Sequence, residues 1–320
     1  MMHSNFALGL DIGGTSLKAA RVARDGSVLE FREAPSRVTH GALAPLDTIE
    51  TEARALDGAR AVAVGIGCPG VVDAERGVLV GRTAHLPHWT DAPLADWLEA
   101  RLGARPALDN DANLAALAEH RIGAARGARA SLTVTIGTGI GCGIVLDDRP
   151  WRGARGGAGE LGHVPLGPGA EPCACGVPDC VEPDASGDGL ARAGAKLDPP
   201  ASDARAVFAR AAAGDAAAQA LIARFVDRLG ASIATAVHLF DPDCVVIGGG
   251  VARAGDALLA PLRSSIARYT LESHRRGLRV VPAELGERAG VVGAGLLAWD
   301  AAELSRRSAR PASSPVRSAL

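Results

Sequence analysis

A chain of 320 residues suggests one large or two medium domains, and an apolar fraction of 48% can fill a substantial core. The formal charge is −2 with Lys, Arg, Asp and Glu scattered along the chain, which leaves no basic stripe for nucleic acid. Met1 to Asn5 is too short for a signal peptide and Phe6 to Ile12 too short to span a membrane, so a soluble, cytoplasmic protein without a membrane partner is expected.

The opening reads as strand, turn, strand. Phe6 to Ile12 is an apolar run, Gly13-Gly14-Thr15 turns it, and Ser16 to Ala23 follows. Asp25-Gly26 is a hairpin signal that continues the meander through Ser27 to Glu33. Leu43 to Leu56 reads as a helix, and Ala61 to Ile66 as a buried strand ending in Gly67-Cys68-Pro69-Gly70. Leu94 to Leu102 and Ala112 to Arg126 read as helices. The opening theme then recurs: Leu132 to Ile136, a turn at Gly137-Thr138-Gly139, and Ile140 to Leu146. Two such units predict duplicated halves. Gly153 to Gly187 is rich in Gly, Pro and Cys and needs a staple to be ordered. Ala204 to Leu239 is mostly helical, Cys244 to Ile247 is a strand, and Gly248-Gly249-Gly250 leads into a helix. Val291 to Leu304 is a last helix. Ser305 to Leu320, rich in Ser, Arg and Pro, is expected to be disordered.

Asp11-Ile12-Gly13-Gly14-Thr15 sits at a strand end, where glycine lets backbone amides approach an anion and Thr15 adds a hydroxyl. Asp11 is well placed to orient Mg²⁺ through water. The same residues also suit a plain hairpin turn. No Gly-Lys-Ser/Thr follows, which argues against a Walker-type loop. Gly137-Thr138-Gly139 and Gly248-Gly249-Gly250 are two further glycine turns. Three in this order, with Lys18 on the strand after the first, point to a nucleotide held between two domains.

Asp109-Asn110-Asp111 precedes a helix expected near Ala112. Asp and Asn favour helix starts, so the trio suits an N-cap. It also suits a general base with an amide partner, since phosphoryl transfer needs an acceptor hydroxyl held in line and its proton received late. A helix N-terminus is expected to keep Asp111 ionised, with no large pKa shift required. His163 with Cys173, Cys175 and Cys180 forms a Cys₃His set suited to structural Zn²⁺. Glu160 and Glu182 flank it. Either they are solvated surface residues or, fixed to a stapled scaffold beside the second nitrogen of His163, they read sugar hydroxyls. The stapled loop is expected to act on sugar placement alone, because the nucleotide signals lie elsewhere in sequence.

Taken in order, Asp11-Ile-Gly-Gly-Thr15, Gly67-Cys-Pro-Gly70, Asn110-Asp-Ala-Asn113, Gly137-Thr-Gly-Ile-Gly141, Gly159-Glu-Leu-Gly-His163 and Cys173-Ala-Cys-Gly-Val-Pro-Asp-Cys-Val-Glu182 resemble the ROK family of repressors and sugar kinases over about residues 6–303. The resemblance implies an α/β fold of the actin-like (ribonuclease H-like) type, with two domains, about 1–112 and 113–290, around a cleft, and the last helix packing back on the first. It implies ATP, Mg²⁺ and Zn²⁺ as cofactors and a free hexose as substrate. Asp111 is the implied base, and Asn110, Glu160, His163 and Glu182 are the implied sugar contacts, with Gly70 and Thr83 nearby. A homodimer is expected. Glucose is the first candidate substrate, with allose, fructose, N-acetylmannosamine and N-acetylglucosamine as alternatives and polyphosphate left open as donor. A sugar-responsive regulator is the rival class; the early position of Asp11 leaves no room for a winged helix, which favours the kinase. Asp179, Pro183 and Cys142 depart from the family pattern. Asp179 is tolerable if its position needs a positive φ, and Pro183 is expected to shift Glu182.

Overall fold

The computed structural model describes residues 6–83, 85–167 and 171–308. The chain opens with three antiparallel strands, β1 (Ala7–Ile12), β2 (Ser16–Val22) and β3 (Val28–Pro35). Helix α1 (Ala44–Ala55) leads to β4 (Val64–Cys68), which pairs with β1 in parallel. A small antiparallel sheet follows, from β5 (Val71–Asp73), β6 (Val78–Arg82) and β7 (Thr90–Ala92). Helix α2 (Leu94–Leu102) then leads to β8 (Ala107–Asn110), parallel to β4. The first large sheet therefore has the order β3-β2-β1-β4-β8.

Helix α3 (Asp111–Arg121) leaves the end of β8 with no intervening loop. Strands β9 (Ala130–Ile136), β10 (Ile140–Leu146) and β11 (Arg149–Pro150) then repeat the antiparallel opening. Four helices follow the cysteine-rich loop: α4 (Glu182–Ala185), α5 (Gly187–Gly194), α6 (Ala204–Ala212) and α7 (Ala216–Phe240). Strand β12 (Cys244–Gly248), helices α8 (Asp256–Tyr269) and α9 (Glu272–Arg275), strand β13 (Arg279–Pro282) and helix α10 (Ala289–Ser308) complete the chain. The second sheet runs β11-β10-β9-β12-β13, the same arrangement as the first: an antiparallel trio followed by two parallel strands. The duplication expected from the two glycine turns is present in the topology.

The central parallel strands are apolar on both faces, as strands covered on both sides must be. Every residue of β4 and of β12 is buried. Edge strand β3 instead exposes Glu30 and Glu33, charges that discourage pairing with another chain. Helices α3 and α10 pack on each other, and α10 also covers β1, β2 and β4. That packing is close: a Cβ at Gly65 would lie 2.0 Å from the Ala294 carbonyl oxygen. Strand β10 presses equally closely on the first turn of α3, where a Cβ at Gly143 would lie 2.3 Å from the Ala112 oxygen.

Several element boundaries differ from expectation for identifiable reasons. The strand expected from Ala61 begins at Val64, because Gly58–Arg60 forms a 3₁₀ turn just before it. Helix α3 stops at Arg121 instead of Arg126: Gly123 follows, and the buried Glu119 carboxylate accepts the Ala124 amide at 2.9 Å. The 204–239 region is two helices, broken at Gly214 (φ 92°) and restarted by Asp215, whose carboxylate accepts the Ala217 and Ala218 amides. A 3₁₀ turn, Gly250–Ala254, separates the third glycine turn from α8. Ser305–Ser308, expected in a disordered tail, continue α10, where Arg306 and Arg307 suit the negative helix end. Residues 309–320 of that tail lie outside the described residues. Among the described residues, no helix is long and apolar enough to cross a membrane.

Candidate active site

Two adjoining clefts lie at the carboxyl ends of the central strands. The larger, about 700 Å³, is lined by Gly70, Thr83, Asn110, Asp111, Gly137, Thr138, Gly139, Glu160, His163 and Glu182 among others. The smaller, about 290 Å³, is lined by Asp11, Gly13, Lys18, Asp111, Gly248 and Gly249 among others. Asp111, Ala112, Thr135 and Gly249 line both. Of the glycine-turn residues expected to contact nucleotide, Gly14, Thr15 and Gly250 line neither; the expected metal ligand Cys180 also lines neither. Thr15 is exposed at the hairpin tip, and Gly14 faces His85, whose Nδ1 would be 3.3 Å from a Cβ there.

Asp111 is held by the way α3 starts. Asn110 is the N-cap: its Oδ1 accepts the Ala112 amide at 2.9 Å and the Asn113 amide at 3.2 Å, while its Nδ2 donates to the Gly70 carbonyl at 3.0 Å. Asp111 is the first helical residue, and its Oδ1 accepts the Ala112 amide at 2.9 Å. Asp109, just before the cap, is 1% exposed. Its Oδ1 accepts the Asn110 amide and Asn113 Nδ2, and its Oδ2 accepts Arg152 Nε at 2.7 Å.

Burial pushes the Asp111 carboxyl above the usual range, against the Ala112 amide and His85, which favour the ionised form. Desolvation by burial is the largest influence on this carboxyl, and the Ala112 amide at the helix start opposes it. Asp11 behaves alike, pushed up to about 7 by burial and then by Asp111, with Lys18 opposing. Burial also raises Glu160.

The cysteine-rich loop is a small closed unit. Leu166 donates its amide to the Asp179 carbonyl and Val181 its amide to that of Val164. Asp179 has φ 59°, the left-handed conformation that Asp tolerates better than most residues. Pro183 sits in the first turn of α4, where a missing amide costs nothing. The donor atoms of His163, Cys173, Cys175 and Cys180 lie within 4.8 Å of one another and could hold a metal ion. His163 divides its ring: Nδ1 lies 3.6 Å from Cys173 Sγ, and Nε2 lies 3.8 Å from Glu160 Oε2.

Glu182 Oε2 accepts the Ile140 amide at 2.8 Å, and the Gly187 amide donates to the Gly137 carbonyl at 2.7 Å. The end of the cysteine loop thus grips the second glycine turn. Sequence separation sets this loop apart from the glycine turns, but residues far apart in sequence meet here. Sequence reasoning also missed His85, which lines the larger cleft and bears electrostatically on Asp111. It lies between short strands with no periodicity or motif to mark it.

The ROK family model matches residues 7–301. The chain belongs to the ROK family. It is 36% identical to a glucokinase of Thermotoga maritima over 90% of this chain and 95% of that protein. It is 34% identical to an N-acetylmannosamine kinase of Shigella boydii over 91% of this chain and 97% of that one. A crystal structure of a ROK glucokinase from Streptomyces griseus, in complex with glucose and AMPPNP, matches with a TM-score of 0.80 and 32% identity, over 92% of this chain and 99% of that one. The fold is the actin-like α/β fold of the ROK sugar kinases.

A general base works only when deprotonated; for Asp111 to serve as one, its raised pKa would set where activity is lost on acidification. The acidic limb of kcat/KM for the phosphoryl acceptor should have its midpoint clearly above about 4, the free aspartate value. A pH–rate profile measures it; a limb at or below that value contradicts the burial argument.

Proposed function

We propose that the chain is an ATP-dependent sugar kinase that transfers the γ-phosphoryl group of ATP to a free hexose, glucose at its 6-hydroxyl being the first candidate. The observation that carries this reading is the placement of Asp111 where the two clefts meet. One cleft offers convergent carboxylates and an imidazole, the groups that grip sugar hydroxyls. The other offers glycine turns and Lys18, which suit phosphates. Catalysis of phosphoryl transfer is mostly positioning and charge stabilisation. In this reading Asn110, Glu160, His163 and Glu182 hold the hexose, Gly248–Gly249 of the smaller cleft together with Gly137–Gly139, which line the larger one, receive the phosphates, and Asp111 takes the hydroxyl proton late. The sugar oxygen bonds to phosphorus as the bond to the ADP oxygen breaks.

Two metals fit the residues present. Asp11 fits hydrated Mg²⁺: its carboxyl lines the smaller cleft, and crowding by Asp111 is what a cation would relieve. Mg²⁺, when bound, neutralises charge on the phosphate oxygens. The Cys₃His set fits Zn²⁺: sulfurs about 2.3 Å from a tetrahedral ion are about 3.8 Å apart, close to the 3.6 Å between Cys175 and Cys180 sulfurs. Four protein donors leave no open position, so its role is to fix the loop. A cytoplasmic homodimer, with domains of about 1–112 and 113–290 closing on the substrates, completes the reading and rests on the family resemblance.

Coupled ADP release across a hexose panel tests it. Glucose should give the highest kcat/KM with ATP; preference for N-acetylmannosamine would move the chain to its other relatives, and turnover of no hexose would overturn the reading. Cys175→Ser tests the loop. Sugar KM should rise strongly and kcat should fall, with a smaller rise in ATP KM transmitted through Glu182, measured on protein shown to be folded. An unchanged sugar KM would separate the loop from the sugar site.

A further inference from the structure

The pair Asp109–Arg152 is not among the residues that bind or react in the reading above. Asp109 is the penultimate residue of β8 in the first sheet, and Arg152 follows β11 of the second, 43 residues later. The guanidinium places Nε 2.7 Å and Nη2 2.6 Å from Asp109 Oδ2. Asp109 Oδ1 is taken by the Asn110 amide at 2.8 Å and Asn113 Nδ2 at 2.9 Å. Both carboxylate oxygens are therefore occupied: Oδ1 faces the turn that carries Asp111, and Oδ2 faces Arg152.

Arg152 is tied at its own backbone as well. The amide of its neighbour Trp151 donates to Ile144 on β10, and its carbonyl accepts the Ala158 amide at 3.1 Å. That second bond closes the loop 152–158, which delivers Gly159 and Glu160 to the larger cleft. One guanidinium thus connects the loop before Glu160 and His163 to the residue before Asn110 and Asp111.

We propose that Arg152 is a positioning residue: it holds the acceptor-binding loop of the second half in register with the base-bearing turn of the first. With Asp109 buried and Arg152 only partly so, the pair is a poor source of net stability, because desolvation of the carboxylate cancels much of the attraction. Its geometric effect is larger. Two nitrogens on one oxygen fix distance and direction together, and misplacement by about 1 Å at a reacting centre can cost on the order of 10²-fold. The inference rests on the sugar kinase reading for its kinetic arm and on the geometry alone for its structural arm.

The test uses Arg152→Gln, Asp109→Asn and the double variant, each shown to be folded by circular dichroism and melting temperature. In Arg152→Gln, kcat/KM for the hexose should fall roughly 10- to 100-fold while ATP KM stays within about twofold. The double variant should be no worse than Arg152→Gln, since it leaves no unpaired buried charge. Amide hydrogen exchange, which needs no turnover, should quicken at residues 110–113 and 158–163 together in Arg152→Gln. If that variant does not fold, Arg152→Lys, which keeps the charge and changes the reach, is read by the same criteria. Hexose kcat/KM within about twofold of the parent, or exchange unchanged in either segment, would overturn the proposal. If the parent phosphorylates no hexose, the kinase reading falls and the exchange measurement alone decides the positioning claim.

Discussion

The first turn of α3 is fixed from three sides, and the clefts take their form from it. Asn110 caps the helix with its oxygen and holds Gly70 with its nitrogen. Asp109 reaches Arg152 in the second half, and β10 presses on Ala112 from the same side. Helix α10 packs along α3 and onto β1, β2 and β4. A carboxylate at Asp111 is therefore presented at one place, half-buried, on an element with no loop between it and its strand. Its desolvation is a consequence of that packing, and the raised pKa follows from it.

The duplicated topology explains why the glycine turns fall where they do. β1 and β9 occupy equivalent central positions and each ends in a glycine turn leading back antiparallel. Those turns lie at carboxyl strand ends, where open α/β sheets bind ligands. The cysteine loop then meets the second glycine turn. Cys180 is two residues before Glu182, whose carboxylate grips the Ile140 amide at the second turn. The cysteine loop, Glu182 and the Gly137–Gly139 turn form one connected unit in the second half.

Much of this was legible in the sequence because it depends on neighbours in the chain. Apolar runs gave the central strands, Asp and Asn at 109–111 gave the helix start, and the spacing from His163 to Cys180 gave the donor cluster. Asp179 was readable as a residue able to take a positive φ, which it does. Other features depend on contacts between distant residues and leave no local trace. The Asp109–Arg152 pair spans the two halves. The Glu182 contact joins the cysteine loop to the second glycine turn. His85 reaches the cleft from a stretch without periodicity, and β5 to β7 are too short to carry a pattern. The burial that raises the Asp111 pKa also leaves no local trace, because neighbours in the chain show the helix end but not what packs over it.

The central claim is that the start of α3 presents Asp111 as the base for phosphoryl transfer to a bound hexose. Asp111→Asn tests it most directly, because the amide keeps an oxygen for the Ala112 contact and removes only the proton acceptor. Calorimetric titration with the preferred hexose and steady-state turnover should be measured on the same preparation. Hexose affinity should stay close to that of the parent while kcat falls by roughly 10²-fold or more, the scale of a positioned general base. A variant that binds the hexose and turns over at near-parental kcat would contradict the account.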